Sequence, residues 1–188
     1  MNLSAMPNTA KTNHRQSELV DALDTLGVRF LRGGSGTPTT FVPATLLASL
    51  AASPEARLRL ALIPLLLTHP EFAEDVPAAL QILSSDAAVT LRCYYTAAHW
   101  LHLKYRTRLA AMCGQKPQLP DLFSEELRMP KQMTPDAALQ ALANRQQELS
   151  GRTLNWRGTY EHAIQNWLRF MEQEIRWQQS LPIKSNLS

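Results

Sequence analysis

Apolar residues along this chain recur at intervals of three and four, the spacing that lines one face of a helix. Leu19, Val20, Leu23 and Leu26 set the pattern first, and Gly27 stops it by offering the left-handed backbone that ends many helices. Val28-Arg29-Phe30-Leu31 reads as a short extended piece, the one strand candidate. Pro43 opens a helix through Leu50. Ser53-Pro54-Glu55 then supplies a cap, a first-turn proline and an early acid for an apolar run to Leu67, and Pro64 within that run predicts a kink. His69-Pro70-Glu71 starts a helix ending near Leu83, with Pro77 as a second kink position. Ser84-Ser85-Asp86 caps the longest stretch, Ala87 to about Cys113, closed by Gly114. Pro117, Pro120 and Pro130 bracket a loop in which Asp121 can cap one turn through Leu127. Thr134-Pro135-Asp136 opens a helix to Leu149, ended by Ser150-Gly151, and Thr159 opens the last, to about Gln178.

These elements predict an all-α fold, a compact multi-helix bundle around one long central helix. With 188 residues, 45% of them hydrophobic, the chain can bury a single core. The periodicity places one helical domain over residues 15–178, between flexible tails at 1–14 and 179–188. An internal echo joins SPEARLRL from Ser53 to SDAAVTLR from Ser85. The first copy, SPEARLRLALIPLLL followed by HPEFAEDVPAALQIL, resembles one HEAT-type helical hairpin. Two such units are too few for a solenoid, which needs about three, so a bundle containing one hairpin is expected.

Composition changes this picture little, but the placement of charge does. Charged residues are only 19% of the chain and the formal net charge is +3. Between Asp86 and Asp121 there is no acid, whereas Arg92, Lys104, Arg106, Arg108 and Lys116 all fall there. These five are the candidate nucleic-acid contacts, since lysine and arginine neutralise phosphate. On a helical wheel Leu91, Tyr94, Ala98, Leu101, Tyr105, Leu109 and Met112 form one apolar stripe. Arg92, His99 and Arg106 share the adjacent stripe, with Tyr95 and His102 between the two. Trp100 and Leu103 are apolar on a further side, so much of this helix is expected to be enclosed.

Arg92 and His99 give an R-x6-H spacing that resembles the signature of HEPN-type helical ribonucleases and toxins. The resemblance implies Arg92 for phosphate charge and His99 as general acid or base, without metal, with Tyr95 nearby. Cys93 stands where that pattern usually carries a polar residue. Equally, an Arg or His inside a helical bundle can pair with an acid on a neighbouring element, and Glu125, Glu126, Glu161 and Glu172 are available for this. His99 and His102 lack a third metal ligand at suitable spacing, so neither metal nor cofactor is expected.

Cys93 and Cys113, twenty positions apart on one helix rising about 1.5 Å per residue, lie too far apart for a disulfide. Together with a polar N-terminus lacking a signal-peptide core, this predicts a cytoplasmic protein. The most apolar run, Leu58 to Leu67, is interrupted by Arg59 and Pro64 and is too short to span a bilayer.

Three further segments have two readings each. GGSGTPT, Gly33 to Thr39, can present amides to an anion, but matches no nucleotide-binding spacing and reads better as a connector. Asn155 to His162 forms a helix start that, assisted by Arg152, Arg157 and His162, can attract an anion or simply staple Trp156 to the core. LPDLFSEELRMP joins Leu122 and Phe123 to Glu125 and Glu126 in a proline-bounded loop. Exposed, these four would dock a protein partner; otherwise the loop folds back over the domain's own core. The segments YYTAA, LPDLFSEEL and TYEHAIQNWLRFMEQEIRW resemble an uncharacterised bacterial helical family with no assigned activity, associated with mobile or defence-type operons. That likeness implies a partner-dependent role. No common hydrolase or nucleotide-binding motif is present. The leading expectation is therefore a non-enzymatic interaction module, an accessory or antitoxin-like subunit binding a protein partner, and nucleic acid through its basic helix. A HEPN-like ribonuclease and a non-catalytic nucleic-acid-binding module are the alternatives. The decision rests on whether the stripe of Arg92, His99 and Arg106 faces outward or inward.

Overall fold

The computed structural model describes residues 7–180 apart from residue 30, and these are all-helical, with no strand among them. Helix α1 (Pro7–Thr25) begins well before its apolar face. Residues 7–14, expected as part of a tail, are its first turns; residues 1–6 lie outside the described residues. Two physical facts explain the extension. Proline is tolerated in a first helical turn, and nothing between Pro7 and Gln16 breaks a helix already anchored by the buried Leu19, Val20, Ala22 and Leu23.

The same helix ends as its sequence indicates. Gly27 has φ +80°, its amide donates to the Asp24 carbonyl at 2.9 Å, and the Val28 amide donates to the Leu23 carbonyl at 2.8 Å. That closure bears on the strand candidate at 28–31: Val28 is in no strand, and residue 30 lies outside the described residues. Val28 turns its amide and its buried side chain back onto α1, so neither is available to a sheet.

Helix α2 (Pro43–Ala51) is followed by α3 (Ala56–Leu60) and α4 (Leu62–Thr68). The break between α3 and α4 falls at Ala61. Pro64 lacks an amide for the Leu60 carbonyl and its ring crowds that carbonyl, so the kink predicted from Pro64 appears one turn before it. A 3-10 turn (Pro70–Asp75) leads into the short α5 (Val76–Gln81), with Pro77 in its first turn. The echo between Ser53 and Ser85 does not produce equal helices. The first copy opens a helix of 5 residues and the second one of 29.

Helix α6 (Ser85–Cys113) is the axis of the molecule, touching α2, α4, α7 and α8. From Cys93 to His99 every residue is buried, so the helix is enclosed on all sides at this level. Its path is not straight: Tyr105 has φ −106° and ψ 17°, a local departure from helix geometry. Helix α7 (Pro135–Ser150) starts where Thr134 Oγ1 accepts from the Ala137 amide at 3.3 Å, and stops at Gly151 with φ +63°. Helix α8 (Trp156–Ser180) starts three residues before the expected Thr159. Its cap is Asn155, whose Oδ1 accepts from the Gly158 amide at 2.9 Å. A Cβ at Gly158 would stand 2.5 Å from the Asn155 side chain, so any other residue there must displace the cap.

The two cysteines are free, and burial pushes the Cys93 thiol up to about 12. No helix among the described residues is long and apolar enough to cross a membrane.

Candidate anion-binding site

The basic stripe divides into an inward and an outward half. His99 is 6% exposed, and its Nδ1–H donates to the Leu119 carbonyl at 2.8 Å. One turn earlier, the Tyr95 hydroxyl donates to the Pro120 carbonyl at 3.0 Å. Both bonds hold the 114–134 loop against α6, and Leu119, Phe123 and Leu127 fill the space beneath it. Phe123 meets Tyr95 edge-on, with ring centroids 5.4 Å apart.

The loop makes one capped turn, as Asp121 predicts: the Ser124 amide donates to Asp121 Oδ1 at 3.1 Å. The turn closes with Arg128 at φ +56°. Phe123, grouped with the partner-binding residues, is therefore core. Leu122, Glu125 and Glu126 face outward. Glu126 in turn lies 2.8 Å from Arg92 Nε, an ion pair whose geometry is too oblique for a hydrogen bond. Arg92 and His99 thus both hold the loop, Arg92 through Glu126 and His99 through the Leu119 carbonyl.

Two other candidate cations are also neutralised by neighbouring helices. Lys104 Nζ donates to Asp136 Oδ1 at 2.8 Å and to Glu161, which also accepts from the Tyr105 hydroxyl at 2.7 Å. Arg157 reaches the same Asp136 at 2.8 Å. The hydrogen bond from Lys104, and the two positive charges, hold Asp136 below the usual carboxylate range. Arg108 donates through Nε and Nη2 to Glu172 Oε1 at 3.0 and 2.6 Å. These contacts tie α6 to α7 and α8.

Arg106 and Lys116 differ. Both are exposed, and neither has an ion-pair partner among the described residues. They line one cleft of about 370 Å³ at the C-terminal end of α6, together with His102, Leu67, Leu109 and Cys113. Among the described residues no carboxylate lines it. His102 is 6% exposed and its Nδ1 has no hydrogen-bond partner. Burial, then the nearness of His99 and Arg106, lowers its pKa. We assign the proton of the neutral ring to Nε2, because leaving a lone pair unpartnered at Nδ1 costs less than burying an orphaned N–H. Burial likewise raises the Cys113 thiol, with Lys116 opposing it. The Lys116 charge also acts on Glu71, a carboxylate that does not line the cleft and pairs with His69 at 2.8 Å.

His102 enters the sequence reading only as a neighbour of the two stripes and as a metal ligand beside His99, not as part of an anion site. Its spacing of four from Arg106 places both on one helical face. What the spacing could not show is that the chain after Gly114 returns Lys116 to the same place.

The remaining candidates are internally satisfied. The glycine-rich loop does present its amides to an anion, and that anion is Asp21. Ser35 Oγ donates at 2.6 Å, the Ser35 amide at 3.0 Å and the Gly36 amide at 2.9 Å. A Cβ at Gly34 would sit 2.3 Å from Asp21 Oδ1. At the start of α8, Trp156 is buried and its Nε1–H donates to the Arg152 carbonyl at 3.2 Å, the stapling arrangement. Among the described residues no group of three His, Cys, Asp or Glu side chains could hold a metal ion. Comparison with protein-family models, with curated proteins and with solved structures gives no match to this chain.

Proposed function

We propose that this protein is a non-enzymatic interaction module that engages nucleic acid through the C-terminal end of α6. One observation carries the reading. Of the five cations on the acid-free stretch, Arg106 and Lys116 alone keep exposed, unpaired charge, and they flank a cleft without a carboxylate. Such a pair attracts phosphate and releases condensed counterions when it binds. A ribonuclease reading lacks this kind of support, since His99 spends Nδ1 on the Leu119 carbonyl beneath a loop. The presence of two free thiols fits a cytoplasmic setting.

Fluorescence anisotropy of labelled single-stranded RNA across a salt series tests the proposal. Two phosphate contacts predict a log–log salt slope of about −1.4, at about 0.7 per contact on a single strand. The double variant Arg106→Gln, Lys116→Gln should flatten that slope. Affinity unchanged by both salt and substitution would end the reading.

A protein partner is a second reading, with the chain as an accessory or antitoxin-like subunit. The observation favouring it is Leu122, 40% exposed at the tip of the capped turn beside Glu125. Co-purification that survives Arg106→Gln but is lost on Leu122→Asp would support this surface.

A further inference from the structure

We infer that the cleft at the end of α6 receives a phosphomonoester at the end of a nucleic-acid strand rather than a phosphodiester within it; the inference rests on the nucleic-acid reading above. The shape of the site is the first reason. An internal phosphodiester is flanked on both sides by sugars and follows an exposed surface, where it meets surface cations such as Arg106 and Lys116. It cannot carry both flanks into a cleft of about 370 Å³ to approach His102, which is 94% buried. A strand end has one flank and can enter. The volume, near the low end of ordinary ligand pockets, suits a terminal nucleotide, and Leu67 and Leu109 offer apolar wall to its sugar or base.

Charge is the second reason. A phosphomonoester carries about −1.5 to −2 at neutral pH and presents three acceptor oxygens, against one charge on a diester. The cleft offers the Arg106 guanidinium, the Lys116 ammonium and the His102 imidazole, and no lining acid repels the ligand. Arg106 can donate in a fork to two phosphate oxygens and Lys116 acts as a point charge.

The third reason is His102 itself. Its Nδ1 is closed off and unpartnered within the protein, which leaves the Nε2–H of this cleft-lining ring as the donor a ligand would meet. The surroundings that bear on its charge are His99 and Arg106 on its own helix, and neither compensates a proton on the ring. Lys116 and Cys113 face the same cleft, and Glu71, on which the Lys116 charge acts, is paired with His69. A dianion in the cleft would supply the countercharge that the protein leaves out.

The test uses the full chain and a twelve-nucleotide single-stranded RNA labelled internally, carrying a 5′-phosphate, a 3′-phosphate or hydroxyls at both ends. Anisotropy titrations should show one phosphorylated end binding at least about tenfold more tightly than the hydroxyl strand. The preference should disappear in Arg106→Gln and in His102→Gln, and Arg106→Lys should restore part of it. Arg106 is exposed, so its variant tests the site even where His102→Gln disturbs folding. Hydrogen exchange across residues 102–118 should slow on adding the phosphorylated strand only. Equal binding of all three strands would overturn the inference while leaving the nucleic-acid reading intact; binding of none would overturn both. A nucleoside monophosphate or a phosphoserine peptide binding as tightly as the phosphorylated strand would also overturn it, by showing that the strand is not what is recognised.

Discussion

His99 Nδ1 lies 2.8 Å from the carbonyl oxygen of Leu119, and this contact turns a ribonuclease-like spacing into a clasp between the long helix and the loop that covers it. The imidazole is buried and the carbonyl has no water to fall back on, so each satisfies the other. His99→Ala should leave the Leu119 carbonyl unsatisfied and open a gap beneath the loop. A loss of about 1–3 kcal/mol in urea unfolding is expected from the orphaned acceptor alone. RNA incubated with wild type and variant should show no His99-dependent cleavage; a dependence would restore the catalytic reading.

Neighbouring residues in the loop should respond in opposite ways. Phe123 is 7% exposed against Tyr95, whereas Leu122 is 40% exposed at the tip. Phe123→Ala is expected to cost about 3–5 kcal/mol through lost burial and the cavity left behind. Leu122→Ala should change stability by less than about 0.5 kcal/mol. Paired thermal melts check both values. Comparable losses at the two positions would mean that the loop sits differently on the core.

The contrast between these two leucine and phenylalanine positions shows where the sequence is legible. Thr134, Gly27, Gly114 and Gly151 mark helix ends correctly because capping is decided within a few residues of the cap. The start of α1 was hidden for the converse reason. Its first turns carry no apolar period and persist by propagation from the buried stripe at Leu19 to Leu23. The cations of α6 were visible as a charge imbalance within one helix. Their neutralisation was not, because Asp136, Glu161 and Glu172 arrive on α7 and α8, 32, 57 and 64 positions from the cations they meet. A local charge count cannot register a partner delivered by tertiary packing. The same limit concealed the cleft, which needs Lys116 folded back beside Arg106.

Acid should act on the glycine-rich loop through Asp21. Its carboxylate accepts from the Ser35 hydroxyl first, and from the Ser35 and Gly36 amides, which together hold it below the usual carboxylate range. A depressed native pKa means that the unfolded state binds the proton more readily. The stabilisation is therefore complete above the unfolded value of about 3.9 and is lost as the pH falls from there through the native value. Asp21→Asn should flatten the acid limb of stability between about pH 5 and 2. Gly34→Ala should mimic the loss at neutral pH, since its Cβ would press on Asp21 Oδ1. An unchanged acid limb in Asp21→Asn would show that other carboxylates govern it.

His102 should produce a second pH dependence, over a different range. Burial first, then His99 and Arg106, disfavour the imidazolium, so its native pKa lies below the unfolded value of about 6.5. For a histidine shifted in this direction the unfolded chain gains the proton before the folded one does. Stability is full above pH 6.5 and declines as the pH falls from there toward the native value, because unfolding takes up a proton in that window. His102→Gln should remove that decline while keeping a donor near the cleft. Unfolding midpoints in urea between pH 5 and 8 measure it. A phosphomonoester bound in the cleft reverses the balance, because a dianion favours the protonated ring and raises its pKa. The ligand-dependent gain in stability should then grow as the pH is lowered through 6.5, and it should lose that pH dependence in His102→Gln. A gain that is equally pH-dependent in the variant would assign the proton to the phosphate itself, whose second pKa of about 6 lies in the same range.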